Sequence, residues 1–101
     1  MRIGKNMGQT IYIINPTSTA HLCDGINHAV APLRLKEGPR IEAVSLSDAR
    51  PAIESQADGD AVAPLILKEI ARLERSGDAA GFVIACFSDP GLHSAREITG
   101  L

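Results

Sequence analysis

Cys86 is next to last in an apolar run over residues 81–87, which is followed directly by Ser88 and Asp89-Pro90. A thiol at the carboxyl end of a strand, just ahead of a helix start, has two readings. It can be a small buried hydrophobe, a common fate of free cysteine. It can also be an acid or base, because the positive end of a following helix and its free N–H groups favour thiolate over thiol. A second run ends in Asn15-Pro16-Thr17-Ser18-Thr19, and a third in Ser45 to Asp48. If the three runs are parallel strands, all these groups converge on one rim, where a small molecule can be held by hydrogen bonds beside a thiol.

The other candidates read as structural. Cys23 falls inside a helical pattern, one position off its apolar stripe, and His21 and His28 fall on the same helix beside Asp24 and Asn27. His93 is expected on the surface of a later helix. No histidine stands at zinc-ligand spacing from a cysteine, so no metal site is expected. Asp89 reads as a helix cap, as do Ser18 and Thr19, although a cap and an anion site use the same N–H groups. Gly4 to Gly8 is not a phosphate loop, since no strand precedes it and no Gly-Lys-Ser/Thr follows.

Positioning these groups requires an alternating framework. Strands are expected over 10–14, 41–46 and 81–87, the second nearer an edge and the third covered on both faces. A first helix, capped by Ser18 or Thr19, runs to about Ala31 with Leu22, Ile26, Ala29, Val30 and Leu33 at helical spacing; Gly25 costs it about 1 kcal/mol relative to alanine. A second follows Asp58 or Asp60 and buries Val62, Leu65, Ile66, Ile70 and Leu73, with Pro64 in its first turn and Arg75, Ser76 and Gly77 at its end. A third starts at Asp89-Pro90 and passes through Leu92, Ala95 and Ile98. The order βαβαβα predicts an α/β fold, a three-layer parallel sheet with right-handed crossovers. Residues 1–9 read as a flexible tail and 10–101 as one domain. The polar loop over 47–59 is long enough to be functional.

Composition narrows the function classes. The chain has 101 residues, 45% of them hydrophobic and 22% charged, as in ordinary globular domains. A net charge of −2 with no basic run argues against nucleic acid, and 3% aromatic content against base stacking. No apolar stretch approaches the roughly 20 residues of a membrane span, so no membrane partner is expected. The N-terminus has no apolar core of a signal peptide, and two cysteines without CxxC spacing read as free thiols in the cytoplasm. Three strands make a small sheet with two open edges. The unit therefore reads as incomplete, and a homo-oligomer is expected.

Three segments carry a resemblance. Ile14-Asn15-Pro16-Thr17-Ser18-Thr19 is similar to the "INPNTS"-type opening of hydantoin and allantoin racemases, and Ile53-Glu54-Ser55 to their "SIES" segment. The stretch Ala85-Cys86-Phe87-Ser88-Asp89-Pro90-Gly91-Leu92 resembles the "ACF-x-DPGL" segment around the first catalytic cysteine of that branch. The chain thus resembles the aspartate/glutamate/hydantoin racemase superfamily from about residue 11 to residue 99.

The resemblance implies a racemase without cofactor, in which two cysteines flank the α-carbon of a small-molecule substrate. One thiolate removes the proton and the other thiol returns it to the opposite face. Cys86 would be one of the two, and Asn15, Ser18, Thr19 and Ser88 would bind substrate, a hydantoin, allantoin or an acidic amino acid. Two departures concern substrate identity: Thr17-Ser18-Thr19 replaces Asn-Thr-Ser, and Ala57 stands where relatives often carry an aromatic residue. The second cysteine belongs to a second α/β half with no counterpart here, so this half of a two-domain fold is expected to be inactive alone. The alternatives are a non-catalytic small-molecule-binding or interaction remnant and, less closely matched, a maleate isomerase or arylmalonate decarboxylase. A thiol redox module would need a resolving cysteine near Cys86 in the sequence, and there is none.

Overall fold

The structure, a computed structural model, describes residues 9–101. Its three strands are β1 (Thr10–Asn15), β2 (Arg40–Ser45) and β3 (Ala79–Ile84), all parallel, in the order β2-β1-β3. The helices are α1 (His21–Val30), which continues as a short 3-10 turn over Ala31–Leu33, α2 (Gln56–Arg75) and α3 (Leu92–Ile98). The α/β fold read from the alternation is the one observed. The tail expected over 1–9 lies outside the described residues except for Gln9, whose carbonyl accepts the Arg40 N–H at 2.8 Å.

Strand order explains which run is most buried. β1 has a neighbour on each side, and Ile14 aligns with both Val44 and Ile84. All its residues but Ile11 are correspondingly buried, Ile14 completely. The sequence expectation for the third strand needs correction. β3 stops at Ile84 rather than Phe87, and it is an edge strand with Val83 47% exposed. Continuous apolar character registers what a strand must bury, but not whether a neighbour is there to bury it.

The core lies on one face of the sheet. Ile14 and Leu46 pack against Val62, Ile66 and Ile70 of α2 and Ala95 of α3, with Phe82, Ile84 and Val44 at its border. The spacing 62, 66, 70, 73 is the helical period of one face, as the sequence implied; Leu65 is only partly buried. α2 starts earlier than expected. Ser55 is its cap, its hydroxyl accepting the Asp58 N–H at 3.1 Å, so Pro64 sits in the third turn instead of the first. The proline is tolerated there because it lies on the exposed side, where water can satisfy the Asp60 carbonyl it fails to bond. Gly77, in the left-handed region at φ 88°, ends the helix.

α1 packs on the opposite face, where Asn15 points by the alternation of β1. None of its residues is fully buried, and Leu22 is 44% exposed, so its apolar stripe is only partly covered. Neither Ser18 nor Thr19 caps it. Ala20 holds that position without a side-chain bond, and the Thr19 hydroxyl donates instead to Pro51 O.

At the opposite end of the sheet from Cys86, Asp78 ties the strands together. It accepts hydrogen bonds from Thr10 Oγ1 (3.1 Å), Tyr12 OH (2.8 Å), Ser76 Oγ (2.8 Å) and Arg40 (2.9 Å). The Ser76 and Tyr12 hydroxyls, with smaller help from Thr10 and Arg40, hold its carboxyl below the usual carboxylate range. Tyr12 is pushed up in turn, by burial first and by Asp78 second. A carboxyl depressed by folding contributes stability that is complete above its unfolded value, near 3.9, and is lost as pH falls through the folded one. Urea midpoints should therefore drop between pH 7 and pH 3, and Asp78→Asn should shrink that drop. An unchanged drop in the variant would assign acid lability to other groups.

Candidate active site

The candidate rim begins where β1 ends. Asn15 is 3% exposed, and its side chain is engaged from both ends. Its Oδ1 accepts the Thr17 N–H (3.2 Å) and the Thr17 hydroxyl (2.8 Å), while Nδ2 donates to the Thr19 carbonyl (3.1 Å) and points toward Cys23 Sγ at 3.9 Å. Thr17 Oγ1 also accepts the Thr19 N–H at 3.2 Å. Residues 15–19 are thus a self-braced turn, and Pro16 removes the N–H that would have continued the strand.

That turn is stitched to the loop after β2. Thr17 O accepts Leu46 N–H, Ser18 N–H donates to Arg50 O (both 3.1 Å), and Thr19 Oγ1 donates to Pro51 O at 2.7 Å. The loop is closed on its far side by Asp58, which pairs with Arg50 and accepts the Glu54 N–H at 2.9 Å. The Glu54 N–H first, then Arg50, keeps the Asp58 carboxyl below its ordinary range. Arg50 was not singled out in the sequence; Asp58 was read only as a helix start and Thr17 only as one of the rim's hydroxyls. Arg50 and Asp58 meet only because of the loop's path, so no spacing rule could have found them.

Asn15→Ala should leave buried donors and acceptors in this turn without partners. The expected cost is about 1–3 kcal/mol, read as a shift in the urea midpoint. A change below measurement error would show that water replaces the amide.

The other half of the rim follows β3. Ala85 N–H still bonds Ile14 O (2.9 Å), but Cys86 N–H turns back to Ile84 O (3.0 Å) and Asp89 N–H to Cys86 O (3.1 Å). Cys86 is half-buried, Phe87 beside it fully exposed, and Cys86 Sγ lies 3.2 Å from Ser88 Oγ. The helix start expected at Asp89-Pro90 is corrected to Leu92, with Gly91 as the cap. Asp89 (φ 49°) and Gly91 (φ 73°) both adopt left-handed backbone, which cannot belong to a right-handed helix. Cys86 therefore stands a full turn of loop away from α3, and the group at its sulfur is the Ser88 hydroxyl.

The ends of β1 and β3, which carry Asn15 and lead to Cys86, are neighbours at the switch point of the topology. From β1 the chain moves to one side for β2, then crosses back past β1 for β3. Strand order reverses there, and ligands of such sheets bind in the crevice outside the carboxyl ends at that reversal. A hollow of about 360 Å³ borders it, bringing Ile53, Glu54 and Ser55 against Ser88, Asp89 and Gly91. At the end of β2, Ser45, Ser47 and Asp48 line a groove with Lys68 and Arg72, and Asp48 also borders a smaller cavity with Pro16 and Arg50. Among the described residues no group of three or more His, Cys, Asp or Glu is placed to hold a metal ion. Among them also, no helix is long and apolar enough to cross a membrane.

Comparison with known proteins shows the family. A family model described as Asp/Glu/Hydantoin racemase matches residues 11–101. The chain is 43% identical over 89 residues to a hydantoin racemase of Pseudomonas sp. (strain NS671), covering 88% of this chain and 35% of that protein. It is 39% identical over 92 residues to a hydantoin racemase of Rhizobium meliloti, with coverages of 87% and 36%. An allantoin racemase from Klebsiella pneumoniae has a similar structure, with TM-score 0.77 and 35% identity, over 88% of this chain and 36% of that one. The chain spans little more than a third of the length of these relatives.

Proposed function

Since the chain belongs to the Asp/Glu/hydantoin racemase family, we propose that it supplies one thiol of a cofactor-independent racemase acting on a hydantoin-type ring. The carrying observation is Cys86, half-buried just past the end of β3 with a hydroxyl 3.2 Å from its sulfur. As thiolate, Cys86 takes the α-proton; the C–H electron pair moves into the adjacent ring carbonyl, giving an enolate. The Ser88 hydroxyl donates to the thiolate and holds it toward the crevice. No electron leaves the substrate, so the step requires no redox cofactor.

The α-proton is far less acidic than a thiol, so enolate stabilisation must supply most of the barrier reduction. In this reading the 15–19 turn does so with whatever donors its internal bonds leave over. Ser18 is the best placed, since no side-chain bond engages its hydroxyl and the residue is half-buried. Asn15 and Thr19 act mainly by holding the turn in shape. Inversion needs a second acid on the opposite face, from a segment beyond the one this chain matches. Alone, the chain exchanges the proton but does not invert the centre. Free thiols at Cys23 and Cys86 suit a reducing cytoplasm.

The test is deuterium incorporation at the α-carbon of chiral hydantoins and allantoin in deuterated water, followed by NMR with optical rotation in parallel. Exchange with retained configuration is the expected result. Inversion by the chain alone would remove the need for a second thiol from elsewhere. Saturable binding without exchange would replace the racemase reading with that of a binding domain.

A further inference from the structure

We infer that the groove between the end of β2 and the side of α2 is a second binding site, for a small molecule carrying at least two phosphate or carboxylate groups. The groove shares no lining residue with the hollow beside Ser88, so the site stands apart from the chemistry proposed for Cys86.

The chain carries a net charge of −2, yet one face of α2 gathers cations. Lys68, Arg72 and Arg75 fall at i, i+4 and i+7, which stacks them on one side of the helix. All three line the groove, whose volume is about 340 Å³. Like charges at this spacing repel, and a bound anion relieves the repulsion. Glu69 does so for Arg72 alone. Its two oxygens accept from Arg72 Nε at 2.7 Å and Nη2 at 3.0 Å, a fork that holds the guanidinium in place. Lys68 and Arg75 have no hydrogen bond or ion pair among the described residues.

The helix itself explains only part of this. Arg72 and Arg75 lie in its last turn, where cations complement the negative end of the dipole. That effect fades within one turn, so it leaves Lys68 unexplained. It also says nothing of the facing wall. Ser45 and Ser47 line the groove from the end of β2, and neither hydroxyl is hydrogen-bonded among the described residues. Leu46 and Leu65 add apolar surface between the two walls.

Fixed cations opposite free hydroxyls are the donors that recognise phosphate and carboxylate oxygens. The spacing asks for more than one acidic group, since seven residues of helix rise about 10 Å from Lys68 to Arg75. Asp48 also lines the groove and pairs with no cation among the described residues. Its charge opposes an anion there, which gives the site a signed test.

The experiment titrates the 101-residue chain with pyrophosphate and with citrate, following backbone amides by NMR in low salt to limit screening. At least one probe should give saturable shifts over 45–48 and 65–75, half-complete at or below about 1 mM. The tighter of the two assigns the ligand to the phosphate or the carboxylate class. Lys68→Gln combined with Arg75→Gln changes two exposed side chains and should weaken binding about tenfold or more. Asp48→Asn should tighten it about threefold by removing a repelling charge. Lys36→Gln, at an exposed lysine outside this groove, should leave it unchanged. Shifts at every exposed cation alike overturn the inference, as does the absence of saturation with either probe. So does an affinity that neither the double variant nor Asp48→Asn moves. Titration requires neither a hydantoin nor turnover, so it can succeed where the Cys86 chemistry fails, and the reverse.

Discussion

Cys86→Ser is expected to lower α-proton exchange by about 10²–10⁴-fold, the range a positioned acid or base contributes. Serine keeps the size of the side chain and its contact with Ser88, but its hydroxyl does not ionise to a usable base. Because Cys86 is only half-buried and the change is nearly isosteric, stability should stay within about 0.5 kcal/mol of the parent. That pairing separates chemistry from folding: rate lost with the urea midpoint unmoved assigns the proton transfer to the thiol. Ser88→Ala should lower exchange less, by removing one donor to the sulfur while leaving the base. Equal loss in the two variants would mean that the hydroxyl, not the sulfur, reaches the substrate. Cys23→Ser should leave exchange unchanged, since Cys23 lies within α1 beside the amide of Asn15.

The largest effect on stability is expected from Ile66→Ala. Ile66 is completely buried, at the centre of the cluster joining Ile14, Val62, Ile70 and Ala95. Truncation removes transfer free energy and leaves a cavity, together about 2–5 kcal/mol. A domain of this size has roughly 5–15 kcal/mol in all, so the loss is a large share of its margin. The melting temperature should fall by about 4–8 °C for each kcal/mol lost. Ile66→Val, which deletes one methylene, should cost about 0.5–1.5 kcal/mol. A cost near that of Val for the alanine variant would mean the sheet and α2 close up around the gap. Leu65→Ala, at a partly buried position on the same helix, provides the internal comparison and should cost less.

These expectations were unequally legible beforehand. The burial of Val62, Ile66, Ile70 and Leu73 follows from helical period alone, and so does the alternation of elements that makes the fold α/β. The candidate thiol was legible because a strand-ending cysteine followed by Ser88-Asp89-Pro90 is local in the chain. The boundaries at the rim were not. Asp89-Pro90 carries the signature of a helix start, yet the left-handed backbone at Asp89 and Gly91 delays α3 to Leu92. Ser18 and Thr19 carry the signature of caps, yet Thr17 and Pro51 claim the Thr19 backbone and hydroxyl.

The sequence by itself determined what each segment had to bury and which residue types were chemically able to act, because periodicity and side-chain chemistry are local properties. Tertiary structure alone decided that β1 is central, that β3 is an edge strand, and that the segment after Cys86 faces Ile53, Glu54 and Ser55 while Ser45 and Ser47 face Lys68 and Arg72. It also decided that Asn15 braces a turn, and that Arg50 finds Asp58. Strand order and loop path are set by the sum of many weak packing terms between distant segments. No window of sequence contains that sum.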